Sequence, residues 1–218
     1  MAAVVEHDDF CENDVLLRSI RAATLNGMSV SRQGDHAAAA ATIEVELLAT
    51  EAADDRALVE RLTDLVNRVY AESEAGLWRD GAARTTVSEV AEQVAAGKIA
   101  VATVRGRPAG AIRVRTISDA AGEFGMLAAD PRARGIGVGG ALIAFAERHV
   151  RDRGRRAMQL ELLVPRTWRH PSKVILDGWY RRLGYRVIRT ANVADAYPEL
   201  APLLATPCEF LIYEKPLA

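Results

Sequence analysis

The stretch Leu127-Ala128-Ala129-Asp130-Pro131-Arg132-Ala133-Arg134-Gly135-Ile136-Gly137-Val138-Gly139-Gly140-Ala141-Leu142 decides how the rest of the chain reads. Its opening residues end an apolar run, Pro131 stops that run, and glycines then alternate. From Leu142 the apolar residues fall at helical spacing, through Phe145, Ala146, His149 and Val150. A strand, a bend, a glycine loop and a helix in that order build an anion trap. Without β-carbons the backbone can curl so that successive N–H groups converge, and the positive end of the helix dipole points at the same spot. Arg132 and Arg134 add charge beside it. The natural occupant is a phosphate or pyrophosphate.

Three other readings compete for these glycines. They could serve a tight turn and close helix–sheet packing alone. Gly135-x-Gly137-x-x-Gly140 also spells the dinucleotide fingerprint, with Glu161 about 20 residues further on as a ribose-binding acid, which would make the chain an NAD(P)-binding oxidoreductase. Context argues against it: those glycines should follow their strand at once, whereas residues 130–134 intervene here. A P-loop is excluded, because no Gly-Lys-Ser/Thr follows.

Working outward, Thr42 to Leu48 alternates apolar and acidic residues, the period of a half-buried strand. Asp54 and Asp55 can cap a helix with Leu58, Leu62, Leu65, Val66 and Val69 on one face. Thr86-Val87-Ser88-Glu89 is a capping-box pattern that opens a second helix, ending at Gly97. Three short strands follow within 98–129, separated by the turns 105–108 and 118–122, an antiparallel meander. Beyond the glycine helix come a strand at 158–164, a helix around 174–183, a strand at 185–189, a short helix at 195–204 and a last strand at 208–214. The order βααβββαβαβ(α)β predicts an α/β (α+β) domain, a mixed sheet covered by helices. Residues 1–41 look different: a short helix is expected at 14–26, and Ala37 to Ala41 is monotonous. They read as an extension, partly disordered, ahead of a domain spanning 42–217.

Composition narrows the function. With 218 residues, 50% hydrophobic and 26% charged, the chain suits one domain with an appendage. Lys+Arg 28 against Asp+Glu 29 leaves a net charge of −1, too balanced for a protein whose main partner is a nucleic acid. No apolar run approaches the ~20 residues of a membrane helix. The acidic start, Met1 to Phe10, lacks the positive charge and apolar run of a secretory signal, so a cytoplasmic location is expected. Cys11 and Cys208 cannot make a four-cysteine site, and the four histidines have no ligand spacing, so no metal is expected.

Arg134-x-x-Gly137-x-Gly139 resembles the Gln/Arg-x-x-Gly-x-Gly/Ala signature of the GNAT N-acetyltransferases, and the Pro131 bend and Leu127-Ala128-Ala129 resemble that family's fourth strand. Tyr180-Arg181-Arg182-Leu183-Gly184-Tyr185 is similar to its tyrosine–x–x–Leu–Gly–aromatic segment. The resemblance covers about 42–217. It implies a mostly antiparallel sheet splayed between strands four and five, acetyl-CoA as cosubstrate, and an amine acceptor of unknown identity. The loop Arg134, Gly135, Ile136, Gly137, Val138, Gly139 and Gly140 would grip the cofactor pyrophosphate. Main chain at Leu127, Ala128 and Ala129 would pair with the pantetheine arm. No nucleic-acid or membrane partner is implied, and dimers are common in the family. A non-catalytic coenzyme A-binding module on the same fold is the alternative.

Acetyl transfer to an amine requires a neutral nucleophile, although a free alkyl amine has a pKa of about 10.4. It also requires a stabilised carbonyl oxygen and a leaving thiolate of pKa about 8.5, which departs more easily once protonated. The resemblance points to Glu123 as base and Tyr180 as acid, with attack direct and no covalent enzyme intermediate. Glu161 is the other strand carboxylate. Trp78, Trp168, Arg169, His170, Trp179 and Tyr197 fall where they could wall an acceptor pocket. Where family members often carry an asparagine seven residues before the tyrosine, this chain has Lys173, and no role is carried onto it.

Overall fold

The computed structural model describes residues 42–218. The helix expected at 14–26 and the remainder of the 1–41 extension lie outside the described residues. The alternating run becomes β1 (Ile43–Leu47), with both glutamates exposed. A single 3₁₀ turn then leads to α1 (Arg56–Ser73), which starts where the Asp55 carboxylate accepts from the Leu58 N–H at 3.0 Å. The capping box opens α2 (Val87–Ala95): Thr86 accepts from the Glu89 N–H at 3.2 Å, and Glu89 accepts from the Thr86 N–H at 2.8 Å.

The meander follows as β2 (Ile99–Val104), β3 (Arg107–Thr116) and β4 (Ala121–Ala129). Its first hairpin turns at Arg105 and Gly106, both at positive φ, the conformation a two-residue loop demands. Pro108 does not belong to that turn as expected. It lies in β3, where the pairing with β2 is irregular. After the glycine loop come α3 (Val138–Arg151), β5 (Ala157–Pro165), α4 (Pro171–Arg182), β6 (Arg186–Asn192), α5 (Val193–Ala196) and β7 (Cys208–Pro216). α4 begins three residues before the periodic reading, because Pro171 is well placed in a first helical turn. The helix expected at 195–204 is broken by Pro198 and Pro202 into α5 and a 3₁₀ turn.

The seven strands form one sheet in the order β1-β2-β3-β4-β5-β7-β6. Every neighbour is antiparallel except β4 and β5. α3 and α4 pack on one face over Ile112, Phe124, Leu160 and Tyr213, while α1 and α2 pack on the other over Val101, Ala111 and Met126. A third apolar cluster on the α1 side joins Leu77 to Tyr197, Leu200 and Phe210.

β3 passes directly beneath the first turn of α3. A β-carbon on Gly110 would stand 2.8 Å from the Ala128 carbonyl oxygen and 2.7 Å from a Val138 methyl. The carbonyl belongs to the adjacent strand and cannot rotate away, so Gly110→Ala should cost about 1–3 kcal/mol of stability. Urea unfolding measures it. A midpoint equal to wild type would show that the two elements have room to part.

Candidate active site

β4 and β5 pair in parallel over three residues only, ending at Glu123↔Gln159. Past that point β5 continues along β7 as far as Pro165↔Cys208, and β4 continues along β3 as far as Ala129↔Gly110. The two strands diverge because β4 carries an extra residue. Ala111 pairs with Ala128 and Arg113 with Gly125, so β4 spends three steps where β3 spends two. Met126 absorbs the bulge at φ +49, rare for a residue with a side chain. A V-shaped gap results, with the main-chain edge of β4 along one side. Leu127 and Ala128 are fully buried in the core and Ala129 is half-buried, so main chain is what this stretch has to offer a ligand.

At the open end of β4 the chain makes a 3₁₀ turn, Pro131–Ala133, pinned by the Asp130 carboxylate accepting from the Arg132 N–H at 2.9 Å. Gly135 and Gly137 then adopt φ +85 and +94, the left-handed region. The space where the Gly135 β-carbon would stand is empty within 4 Å, and at Gly137 only Ile43 comes as near as 3.9 Å. Arg134 through Gly137 are exposed, whereas Val138 and Gly139 are buried at the start of α3. Gly137 caps α3 without a side-chain hydrogen bond, so the N–H groups of the first turn are available to an external acceptor. A β-carbon on Gly139 would touch Trp179 at 3.4 Å, so the start of α3 packs closely on α4. The sequence reading expects a phosphate cradle in this loop, and the uncapped donors of α3 are what it has to offer an anion.

Tyr180 lies on α4, fully buried among aromatic rings. Its ring centroid is 6.1 Å from that of Phe124, the first β4 residue past the last pair. It is 5.9 Å from Tyr213, the β7 partner of Leu160, which is the first β5 residue past the same pair. The phenol thus stands over the point where the strands separate. Its hydroxyl has no hydrogen-bond partner among the described residues, an uncommon state for a buried oxygen. Burial, reinforced by Tyr70 and Tyr213, pushes its pKa well above the ordinary 10, so the proton is retained.

Glu123 neighbours Phe124 and therefore projects to the opposite face, that of α1 and α2. The sequence reading expects a base; the structure gives this carboxylate another occupation. Oε1 accepts from Arg113 Nη2 at 3.0 Å and Arg115 Nε at 3.2 Å, and Oε2 accepts from Arg115 Nη2 at 3.1 Å. Arg113 itself is fully buried. Glu161, two residues past the last pair on β5, projects to the same face and accepts from Tyr197 Oη at 2.8 Å. The site thus places an acid candidate on one side of the sheet and two carboxylates on the other.

Lys173 resolves into a role that no local pattern signals. It is buried, and its ammonium donates to the Glu74 carboxylate at the C-terminal end of α1. Glu74 Oε2 also accepts from Trp78 Nε1 at 2.6 Å and lies 3.6 Å from Arg84 Nη1. Burial alone would raise the Glu74 pKa; Lys173 and Arg84 outweigh it and hold the carboxyl below its ordinary value. The Arg84 guanidinium stacks over the Trp78 ring at 4.1 Å and over Tyr70 at 5.2 Å. Tyr70, Glu74, Trp78, Asp80 and Arg84 line a cavity of about 430 Å³. Of the other suggested wall residues, Trp168 packs against His170 with centroids 5.3 Å apart, and Trp179 packs under α3. Among the described residues no three His, Cys, Asp or Glu side chains gather to hold a metal, and no helix is long and apolar enough to cross a membrane.

Comparison with known proteins agrees with this geometry. A family model described as an acetyltransferase (GNAT) domain matches residues 95–187, from the end of α2 to the start of β6. No curated protein matches the sequence. Among solved structures, a PaiA N-acetyltransferase from Thermoplasma acidophilum in complex with coenzyme A is 17% identical, covering 80% of this chain and 99% of its own, with a TM-score of 0.59. An agmatine N-acetyltransferase mutant in its apo form is 16% identical, covering 80% and 99%, with a TM-score of 0.58. An aminoglycoside 6'-N-acetyltransferase complexed with coenzyme A is 16% identical, covering 74% and 92%, with a TM-score of 0.56. At such identities the likeness shows the fold, and the family model matches an acetyltransferase (GNAT) domain over residues 95–187 of this chain.

Proposed function

We propose that the protein is an acetyl-CoA-dependent N-acetyltransferase acting on a primary amine by direct attack, without a covalent enzyme intermediate. The observation that carries this reading is the three-pair junction of β4 and β5, with the buried Tyr180 hydroxyl, unbonded among the described residues, over its apex and the uncapped start of α3 at its mouth. Bound acetyl-CoA supplies an acetyl group activated as a thioester. Arg134 and the N–H groups of residues 135–140 bind its pyrophosphate, and the β4 edge at 127–129 aligns the pantetheine arm as an added strand would. Main-chain N–H groups at the bulge polarise the carbonyl. Tyr180 delivers its proton to the leaving sulfur. On the opposite face, Glu123 serves as counter-ion to Arg113 and Arg115. Proton acceptance from the amine falls to Glu161, the strand carboxylate two residues past the last β4–β5 pair. The acceptor enters from the α1 face, its distal part in the cavity beside Trp78.

The decisive experiment follows thiol release from acetyl-CoA with agmatine, kanamycin, L-glutamate and a lysine-containing peptide as acceptors. Turnover with any of them supports the reading. Coenzyme A binding with no turnover in such a series, and normal behaviour of Tyr180 variants, would instead indicate a binding module on the same fold.

The loop assignment has its own test. Gly137→Val puts a β-branched side chain at φ +94, strained for any L-residue, and beside the N–H groups a phosphate must reach. Coenzyme A affinity by calorimetry should fall at least about tenfold, or 1.4 kcal/mol. Unchanged affinity in a folded variant would remove the loop from the site.

A further inference from the structure

The Lys173–Glu74 contact joins parts of the chain 99 residues apart. Glu74 closes α1, and its carboxylate gathers the following segment around it through the Trp78 indole and the Arg84 guanidinium. Three of the cavity's lining residues, Glu74, Trp78 and Arg84, therefore hang on one anchor point on α4. That helix also carries Tyr180. Lys173 and Tyr180 are seven residues apart, two helical turns on the same face, and about 10 Å along the axis. Leu176 and Trp179 are buried between them. A rigid helix thus sets the separation between the cavity wall and the phenol over the strand junction.

An ion pair this deeply buried is a poor device for stability alone, since well-packed apolar residues do as well. What it provides is direction, because the ammonium and carboxylate hold one mutual geometry. The Lys173 side chain is spent on Glu74, so it is not extended toward the gap that receives the cofactor. The segment it holds is tied at its other end as well: Trp78 bridges to Leu204, and the Ala205 N–H donates to the Leu77 carbonyl at 2.9 Å.

We infer that Lys173 is a positioning residue for the acceptor: through Glu74 it fixes the 76–84 wall of the cavity at a set distance from Tyr180, and it does not contact coenzyme A. The inference rests on the acetyltransferase reading above, with the acceptor lying in the cavity. Lys173→Met removes the charge and keeps most of the volume. Coenzyme A affinity by calorimetry should stay within about twofold of wild type. The KM for the fastest of the four acceptors should rise at least about tenfold with kcat little changed, the mark of lost ground-state binding. Amide hydrogen exchange across 76–84 should quicken. In the double variant Lys173→Met/Glu74→Gln the anchor on α4 is gone, Arg84 loses the carboxylate beside it, and the glutamine oxygen can still receive the Trp78 N–H. Its KM should stay as high as that of Lys173→Met.

A KM restored in the double variant would overturn the inference, since that protein lacks the anchor altogether. So would coenzyme A affinity falling in step with acceptor KM, which would make Lys173 a cofactor contact. Should Lys173→Met not fold, the double variant carries the same comparison. If wild type turns over none of the four amines, the acetyltransferase reading fails on its own account. Hydrogen exchange then decides the positioning role: quickened exchange confined to 76–84 upholds it, and wild-type exchange there ends it.

Discussion

Tyr180→Phe is expected to lower kcat by about 10²–10⁴, the range of a positioned general acid, while leaving coenzyme A affinity and the melting temperature near wild type. The expectation of an intact fold comes from the hydroxyl itself. It is buried without a hydrogen bond among the described residues, so its removal breaks no contact and leaves the ring packed against Phe124, Tyr185 and Tyr213. The expectation of a large rate effect comes from its position at the strand junction, where burial, with Tyr70 and Tyr213 adding to it, keeps the phenol protonated. Thioesters with leaving groups of lower pKa need less help from a proton, so the defect should shrink with them. An equal defect for every leaving group, or normal turnover, would return Tyr180 to a packing role.

The second large effect falls on the carboxylates. Glu123→Gln takes the negative charge from a buried cluster containing the fully buried Arg113, and breaking such a pair costs about 3–5 kcal/mol. We expect a marked fall in the urea midpoint and a rate loss that is the same at every pH. Glu161→Gln should behave in the opposite way. Its stability should change little, its rate should drop by about 10²–10⁴ at neutral pH, and activity should recover as the pH approaches the ~10.4 at which an amine deprotonates itself. Recovery at high pH in Glu123→Gln, with a wild-type midpoint, would reassign the base to Glu123.

Much of this architecture was legible before any coordinates. Strands, caps and the glycine loop are written in local signals, because hydrogen bonds at helix starts and backbone freedom at Gly135 and Gly137 depend on residues within a few positions. Glu123 and Tyr180 entered as candidates through the resemblance to the GNAT N-acetyltransferases, and they lie on β4 and α4. What the carboxylate touches was not. The Arg113 and Arg115 contacts arise from strand pairing across a turn, and nothing in either strand marks an arginine as buried. Lys173 is the clearest case. A lysine on a helix ordinarily reads as a surface residue, and its partner lies 99 positions upstream at the end of another helix, so only the tertiary arrangement reveals the pair.

The partition of the sheet has a bearing on how such a chain diversifies. β1 to β4 and β5 to β7 are each unbroken antiparallel ladders, each contiguous in sequence, and the chain passes from one to the other once, through α3. A recombination point in the turn after Arg151 would exchange one ladder for a relative's while severing only the three parallel pairs of the sheet. Side-chain contacts also span that boundary, among them Glu74 with Lys173, Trp78 with Leu204, and Glu147 with Tyr185 and Lys215. Halves from different parents would have to match at each of them, so a chimera must carry these positions over as linked sets.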